Sequence, residues 1–525
     1  MKKLMITVTL VALVATTFGE GRPAELFAEA KYIGQTFEPG SSVAYTSYRM
    51  ANAPSKDAAV YVLLEFNAKN MGPMFDKFAA EGLMPPGLVV CVSPGWLPPE
   101  LDSGSRWYLR GEEFDQPSAE YAAFLTKELV PAAAKAAGMR ISDDPNLHFV
   151  AGGSSGGAAA WHLVWYGKGY FRRAYLASPT FSDVRGAQIA PYLIRKTESK
   201  PVRVYITLGD IEPDRHPGDS FAVGLAARSS FDYAGYPCRL EYFPEGGHLA
   251  GKATEDVMRR MIEFTWAGWK KCPVKPLRNP PRVDEVIKAG TTWEAFEGTF
   301  PAAVVAKGSK GTYAVENGKI VFVNAEGVRK VVYAGSDTVT AVAFGKNDGR
   351  LFASDLGRRF VLSFTVRKDG TLAAAYRHAP LTLPVDPKVL GASDLCYFAG
   401  CDRMLAATEL GVQGIHHFGA TDVIIPLPDD LPATRVAVKD GWLYVASGDR
   451  QWRREMNPNP PPQDTTAYAC KGEHRSTPHL PFFKGAIGRR SVILDNFFDT
   501  PAGQAMQVPV PTGEAAAQAA ANGDF

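Results

Sequence analysis

Apolar and polar positions along the chain follow two regimes, which change over near residue 275. Before that point, short continuous apolar runs alternate with stretches long enough to be helices. Residues 59–66 and 87–93 read as buried strands, and residues 118–137 as a helix. Asn146-Leu147-His148-Phe149-Val150 is another strand, and a glycine-rich turn then leads into a helix-like run ending near Trp165. Residues 202–208 and 239–243 are strands again, with helix-like stretches over 220–233 and 254–269. Continuous apolar strands separated by helices predict a mostly parallel sheet covered on both faces, closed by the last helix.

The second regime opens with a connector, Cys272-Pro273-Val274-Lys275-Pro276-Leu277-Arg278-Asn279-Pro280-Pro281, whose prolines no regular element crosses. A turn residue followed by an alternating apolar strand then recurs. It is seen at Gly311-Thr312-Tyr313-Ala314-Val315, Gly349-Arg350-Leu351-Phe352-Ala353, Asp402-Arg403-Met404-Leu405-Ala406 and Gly441-Trp442-Leu443-Tyr444-Val445. The anchors Tyr313, Phe352, Leu405 and Tyr444 are spaced about 40 to 50 residues apart, the period of propeller blades, although unrelated sandwich hairpins give similar strands. The end of the chain is proline-rich at 457–462 and alanine-rich at 513–521, the composition of a loosely ordered tail. Phe482-Phe483 and Val492-Ile493-Leu494 are its apolar pieces able to dock on a folded part.

The expected fold class is multidomain: an α/β domain with a mostly parallel sheet, followed by a shortened, propeller-like all-β domain. The expected boundaries are a signal peptide over 1–19, the α/β domain over 20–275, a linker over 276–289, about four blades over 290–456 and the tail over 457–525.

Candidate chemistry centres on Gly153-Ser154-Ser155-Gly156-Gly157, a G-x-S-x-G motif at the predicted strand-to-helix turn. Such a turn strains the backbone and pushes the serine hydroxyl out of the sheet, which makes Ser155 the expected nucleophile. The Gly156 N–H, at the start of the helix, is one expected oxyanion donor. Acid and base follow in the order that α/β-hydrolases require, which makes an α/β-hydrolase the expected fold of the first domain. Gly209-Asp210-Ile211-Glu212-Pro213-Asp214 is an acidic loop after one strand, and Pro244-Glu245-Gly246-Gly247-His248 follows the last strand. His248 is the expected general base, and Asp210, Glu212 and Asp214 compete for the acid. His148 lies within a strand, His162 is spaced along the helix as a core residue, and His216, the rival base, is delivered by no strand.

Met1-Lys2-Lys3, the apolar stretch 4–15 and Thr17-Phe18-Gly19 have the plan of a signal peptide, which implies a secreted or periplasmic protein. No later run is apolar enough over about 18 residues to predict a membrane span. In an oxidising compartment the six cysteines allow disulfides, with Cys396 and Cys401 nearest in sequence. No CxxC pair suggests a metal. A net charge of +2 over 525 residues leaves no footprint for nucleic acid, so the expected partner is a small-molecule or carbohydrate ester, with no cofactor.

Residues of roughly 45–270 resemble secreted esterases related to enterochelin and feruloyl esterases. The matching stretches are 151–160, Phe181-Ser182-Asp183-Val184-Arg185-Gly186, Leu193-Ile194-Arg195-Lys196 and Glu245-Gly246-Gly247-His248. The resemblance implies Ser155 as nucleophile, His248 as base and Glu212 as acid, glutamate replacing the family's usual aspartate. It also implies a second oxyanion donor at Asn67 or Ala68, where Asn67-Ala68-Lys69 replaces the usual Gln-Asp-Gly. Residues of roughly 290–456 resemble the gluconolactonase/regucalcin propellers, at Ala407-Thr408-Glu409-Leu410-Gly411-Val412-Gln413 and Leu443-Tyr444-Val445-Ala446-Ser447-Gly448-Asp449. That family holds a divalent metal through Glu, Asn and Asp. Here Asp394 falls on the aspartate position, Thr340 stands at the asparagine position, and the early glutamate has no counterpart. The expected activity is therefore a secreted serine carboxylesterase acting on a carbohydrate-linked, phenolic or siderophore-like ester. The alternatives are a metal-dependent sugar lactonase and a catalytically silent carbohydrate-binding propeller.

Overall fold

The computed structural model describes residues 23–98, 107–301, 305–384 and 389–460, together with a strand at Val492–Leu494. The expected signal segment 1–19, and the tail beyond 460 apart from that strand, lie outside the described residues.

The first region runs β1 (Glu25–Ile33), β2 (Ser42–Arg49), β3 (Ala59–Leu64), α1 (Ala68–Ala80), β4 (Gly87–Val92) and the short β5 (Trp96–Leu97) and β6 (Trp107–Tyr108). Next come α2 (Ala119–Phe124), α3 (Val130–Ala136), β7 (His148–Gly153), α4 (Ser155–Tyr166), β8 (Arg173–Ala177), α5 (Ala190–Lys196) and β9 (Arg203–Ile211). The hairpin β10 (Asp214–Arg215) and β11 (Gly218–Asp219), α6 (Ser220–Ala234), β12 (Cys238–Gly247) and α7 (Glu255–Thr265) complete it. Hydrogen bonding orders the sheet β1-β2-β4-β3-β7-β8-β9-β12. Neighbours from β4 through β3 to β12 are parallel, whereas β1 and β2 are antiparallel and lie outside the predicted elements. Every residue of β3, β4, β7 and β8 is buried, as strands covered on both faces must be.

One detail differs from the sequence-based expectation, and one apolar piece of the tail docks as expected. The helix expected over 118–137 is interrupted between α2 and α3 by a π-helical turn at Leu125–Leu129, and a second π turn, Gly111–Asp115, precedes it. The strand Val492–Leu494 pairs antiparallel with Leu240–Tyr242 of β12 and covers that edge of the sheet.

The predicted linker is partly structured. Pro281–Val286 forms a helix, started by proline at its first turn, that buries Val283 and Val286 against the second region. Among the described residues the second region holds four antiparallel sheets of four strands each. Three are built from consecutive strands within 305–333, 339–380 and 394–425. The fourth takes Arg435–Lys439, Trp442–Ser447 and Arg450–Glu455, and borrows its outer strand, Glu294–Ala295, from upstream of the first sheet. The two regions are joined by more than the chain. Arg454, buried, donates two hydrogen bonds of 2.7 Å to Glu198, Lys200 pairs with Asp430 at 3.0 Å, and Thr197 bridges to Ile424. No disulfide joins Cys91, Cys238, Cys272, Cys396 and Cys401 to one another, so the nearest pair in sequence is not linked; Cys470 lies outside the described residues.

Candidate active site

The β7-to-α4 junction carries the strained backbone that the motif predicts, but at Ser154, which has φ 58° and ψ −127°. L-residues rarely adopt such a conformation, and it persists only where the surroundings impose it. Here the Ser154 N–H donates to the Ala177 carbonyl of β8 at 2.9 Å. Its own carbonyl accepts from Gly157 and Ala158 of α4 and from Thr180, at 2.9 to 3.1 Å. Gly152 makes the tight reversal possible, since a Cβ there would lie 1.9 Å from the Gly156 carbonyl oxygen. Ser154 is half-buried, with its hydroxyl 3.4 Å from that of Thr180.

Ser155, the residue singled out by the sequence, begins α4 and is only 5 % exposed. Its hydroxyl accepts a 2.8 Å hydrogen bond from Arg110 Nη1 and faces Asp115. Arg110 also grips Glu65, just past β3, through two 2.7 Å bonds. This guanidinium therefore ties the loop after β3 to the first residue of α4. Burial raises the Asp115 carboxyl above its ordinary range, and the Ser155 hydroxyl and Arg110 act in the opposite direction.

Of the three carboxylates at the end of β9 and just beyond it, Glu212 is the one that meets His248. Its Oε2 pairs with His248 Nδ1, while Oε1 accepts from the Ser178 hydroxyl and, at 3.3 Å, from the Gly209 N–H. Burial alone would push this carboxyl up, but the bonds from His248 and Ser178 outweigh it and hold it below the usual range. Asp210 instead accepts from the Tyr242 hydroxyl at 2.9 Å, and Asp214 lies exposed in the β10–β11 hairpin. Ser178 Oγ also accepts from the Leu249 N–H at 3.1 Å, so one side chain fixes both the acid and the backbone beside the base. His248 itself follows the last residue of β12 on an exposed turn. The hydrogen bonds of the described residues join His248 to Glu212 and Ser154 to Thr180, and none joins His248 to either serine.

The other histidines are placed differently. His148 is held between the carbonyls of Tyr170 and Ser142 at 2.8 Å, His162 is buried and pushed down to about 3 by burial, and His216 is exposed in the β10–β11 turn. Asn67 caps α1, its side-chain oxygen accepting from the Lys69 N–H at 2.9 Å, and Ala68 is the buried first residue of that helix. The first-turn amides of α4, at Ser155 and Gly156, precede any intrahelical acceptor and lie beside Ser154.

In the second region Asp394 gives one carboxylate oxygen to the Leu395 N–H at 2.9 Å and the other to Val436 N–H at 3.0 Å. Thr340 hydrogen bonds to Ser354 at 2.8 Å and to the Ala392 carbonyl at 3.3 Å. Among the described residues no group of three His, Cys, Asp or Glu side chains could hold a metal.

Sequence reasoning missed Ser154, Arg110, Glu65 and Ser178. A signal for Ser154 was present, because Gly152-Gly153-Ser154-Ser155-Gly156-Gly157 contains G-x-S-x-G in two registers one residue apart. Arg110-Gly111-Glu112-Glu113-Phe114-Asp115 is a dense charged cluster next to apolar runs, a second signal. Ser178 and Glu65 carry no local pattern.

The strand order and the elbow define an α/β-hydrolase-like first region followed by antiparallel sheets. No family model and no curated protein matches the sequence. Among solved structures, the chain is similar to a ferulic acid esterase at 18 % identity and TM-score 0.35, covering 46 % of this chain and 98 % of that one. It is also similar to the enterobactin esterase FES of Shigella flexneri at 14 % identity and TM-score 0.35, covering 45 % of this chain and 58 % of that one. A gluconolactonase of Xanthomonas campestris is similar at 18 % identity and TM-score 0.23, covering 26 % of this chain and 44 % of that one.

Proposed function

We propose that the chain is an exported serine esterase whose nucleophile is Ser154, with His248 as general base and Glu212 as its acid. The observation that carries this reading is the elbow conformation at Ser154, an accessible serine held in a backbone state that costs on the order of 1–3 kcal/mol. Ser155 has the opposite character, a buried hydroxyl bound to Arg110. In this reading Ser154 Oγ attacks the ester carbonyl carbon while His248 Nε2 takes its proton. Glu212 fixes the imidazole through Nδ1 and stabilises its cation. The tetrahedral oxyanion is met by the Ser155 N–H, the amide following the nucleophile, and by an amide of the loop after β3 that contains Asn67 and Ala68. Collapse expels the alcohol with the proton from His248, and water, activated by the same base, releases the acid. The substrate class proposed is a carbohydrate-linked, phenolic or siderophore-like ester. Export is supported by the basic start and apolar stretch of residues 1–19.

The four sheets are proposed as blades of a partial propeller. Supporting this, the first strands of successive sheets neighbour one another, and the fourth sheet takes its outer strand from upstream of the first.

Fluorophosphonate labelling with mass-spectrometric site assignment tests the catalytic reading. The adduct is expected on Ser154, absent in Ser154→Ala and retained in Ser155→Ala. An adduct on Ser155, or an unlabelled parent protein, overturns it.

A further inference from the structure

A cleft of about 240 Å³ opens between the second and third antiparallel sheets, far along the strands from Thr340 and Asp394. Thr340 and Asp394 stand at the starts of Val339–Phe344 and Asp394–Phe398, whereas the cleft lies where those strands end, in the turns 345–349 and 399–402. Its floor is apolar, made by Phe352, Met404 and Ile415, and its rim carries Arg350, His378 and His417.

The rim is a product of close packing between the sheets. The turn after Gly411–His416 is tight, with Gly419 N–H donating to the His416 carbonyl at 2.8 Å and Gly419 at φ 83°. A Cβ on Gly419 would lie 2.1 Å from the His378 carbonyl oxygen, so only glycine lets this turn press against the strand Tyr376–Pro380 of the neighbouring sheet. That approach brings His417 and His378 to one opening. The His378 ring sits edge-on to Phe352 at 4.8 Å between centroids. On the other side Tyr397 donates to Asp402 Oδ1 at 2.7 Å, and Asp402 Oδ2 lies 3.8 Å from His417 Nδ1.

The charges do not balance. Lys346 and Arg350 face the cleft beside the imidazoles of His378 and His417, and Asp402 is the one acidic side chain of its lining, already engaged by Tyr397 and His417. Burial, and then the electrostatic effect of Arg350 and His417, push His378 down to about 4. Burial first and Arg350 and His417 second thus keep the imidazole neutral, and an anion entering between them would offset the second of these pressures.

We propose that this cleft binds a small hydroxylated carboxylate. Its carboxylate lies between Arg350 and the two imidazoles, its C–H surface rests on Phe352 and Met404, and a hydroxyl donates to Asp402. The pairing follows the chemistry of the rim: a planar fork for the carboxylate, an acceptor for a hydroxyl and an aromatic edge for the carbon chain.

Isothermal titration of the full chain at about pH 6 tests it with three probes: gluconate, neutral sorbitol and inorganic phosphate. Gluconate is expected to bind and sorbitol not to bind. Repeating the gluconate titration in buffers of different ionisation enthalpy should reveal proton uptake. Arg350 and His417 are the charged groups that act on His378, and an anion set between them and its ring favours the protonated form. Proton uptake should therefore disappear in His378→Asn, and Arg350→Met should weaken gluconate by about tenfold or more. Absence of gluconate heat in the folded parent protein, or gluconate affinity unchanged in Arg350→Met, overturns the site. Phosphate binding as tightly as gluconate overturns the hydroxy-carboxylate assignment.

Discussion

Glu212, buried in the first region, and Asp394, half-buried in the second, are both carboxylates on strands or the turns that end them, yet their oxygens are engaged in opposite ways. Asp394 gives both oxygens to backbone amides, and burial raises its carboxyl above the ordinary range. Glu212 gives one oxygen to Ser178 and Gly209 and the other to an imidazole, and those partners overcome burial and keep it ionised. One carboxylate pins two strands together, whereas the other orients an imidazole. The same contrast holds for serines and threonines. Thr340 and Ser354 satisfy each other, while Ser154 stays accessible on strained backbone. Residue type supplies the capacity for chemistry, and the fold decides whether local hydrogen bonding consumes it.

The sharpest way to break this comparison is to neutralise both acids. Glu212→Gln is expected to lower kcat for a model ester on the order of 10³ to 10⁴-fold, by leaving His248 in the wrong tautomer. Asp394→Asn should leave that turnover unchanged, and equal losses in the two variants would refute the division of roles.

A second experiment asks whether the regions depend on each other for stability. Arg403 is fully buried, and it bonds to Asp422 at 2.9 Å and to Glu285 of the helix Pro281–Val286 at 2.6 Å. Arg403→Met takes the ion-pair partner from Asp422, leaves Glu285 with Arg282 alone, and should destabilise the four-sheet region by about 3–5 kcal/mol in urea denaturation. Fluorophosphonate labelling of the elbow should persist under native conditions.

Within the first region, Glu113 is almost fully buried beneath Gly95, whose N–H donates to it at 2.7 Å. Burial pushes its carboxyl up to about 8 from an ordinary value of 4.5. The unfolded chain therefore loses this proton first. The stability tied to the neutral carboxyl is fully present below the unfolded value and is lost as pH rises through the folded one. Glu113→Gln should melt near the parent at pH 4 and above it at pH 8, by on the order of 3 kcal/mol. Superimposable pH profiles would show that Glu113 ionises freely in the fold.

The smallest effect is expected at the seam between the regions. Glu198→Ala removes both partners of Arg454's 2.7 Å bonds and should cost about 1–3 kcal/mol. Differential scanning calorimetry should then resolve two transitions more clearly than in the parent.

Much of the first region was legible because strands buried on both faces leave continuous apolar runs. Residues 59–66, 87–93, 202–208 and 239–243 all coincide closely with observed strands. Strands β1 and β2 were not, since their antiparallel pairing leaves one face half-exposed and blurs the pattern. Glu212 and His248 could be placed on loops from chain order, but their mutual hydrogen bond depends on β9 and β12 being parallel neighbours. Ser178, which supports both, follows β8 and became visible only when three strand ends came together.

The sequence by itself determined that a serine lies between glycines at a strand-to-helix turn, and that an acidic loop and a histidine follow in order. It also determined the change of regime near residue 275. It could not determine which of two adjacent serines is the elbow, because the letters Gly152 to Gly157 satisfy the motif in both registers. That choice is made by a backbone dihedral. The hydrogen bonds of Ser154 to Ala177 and Thr180 force its φ positive and leave its hydroxyl accessible, while Ser155 turns into the core toward Arg110.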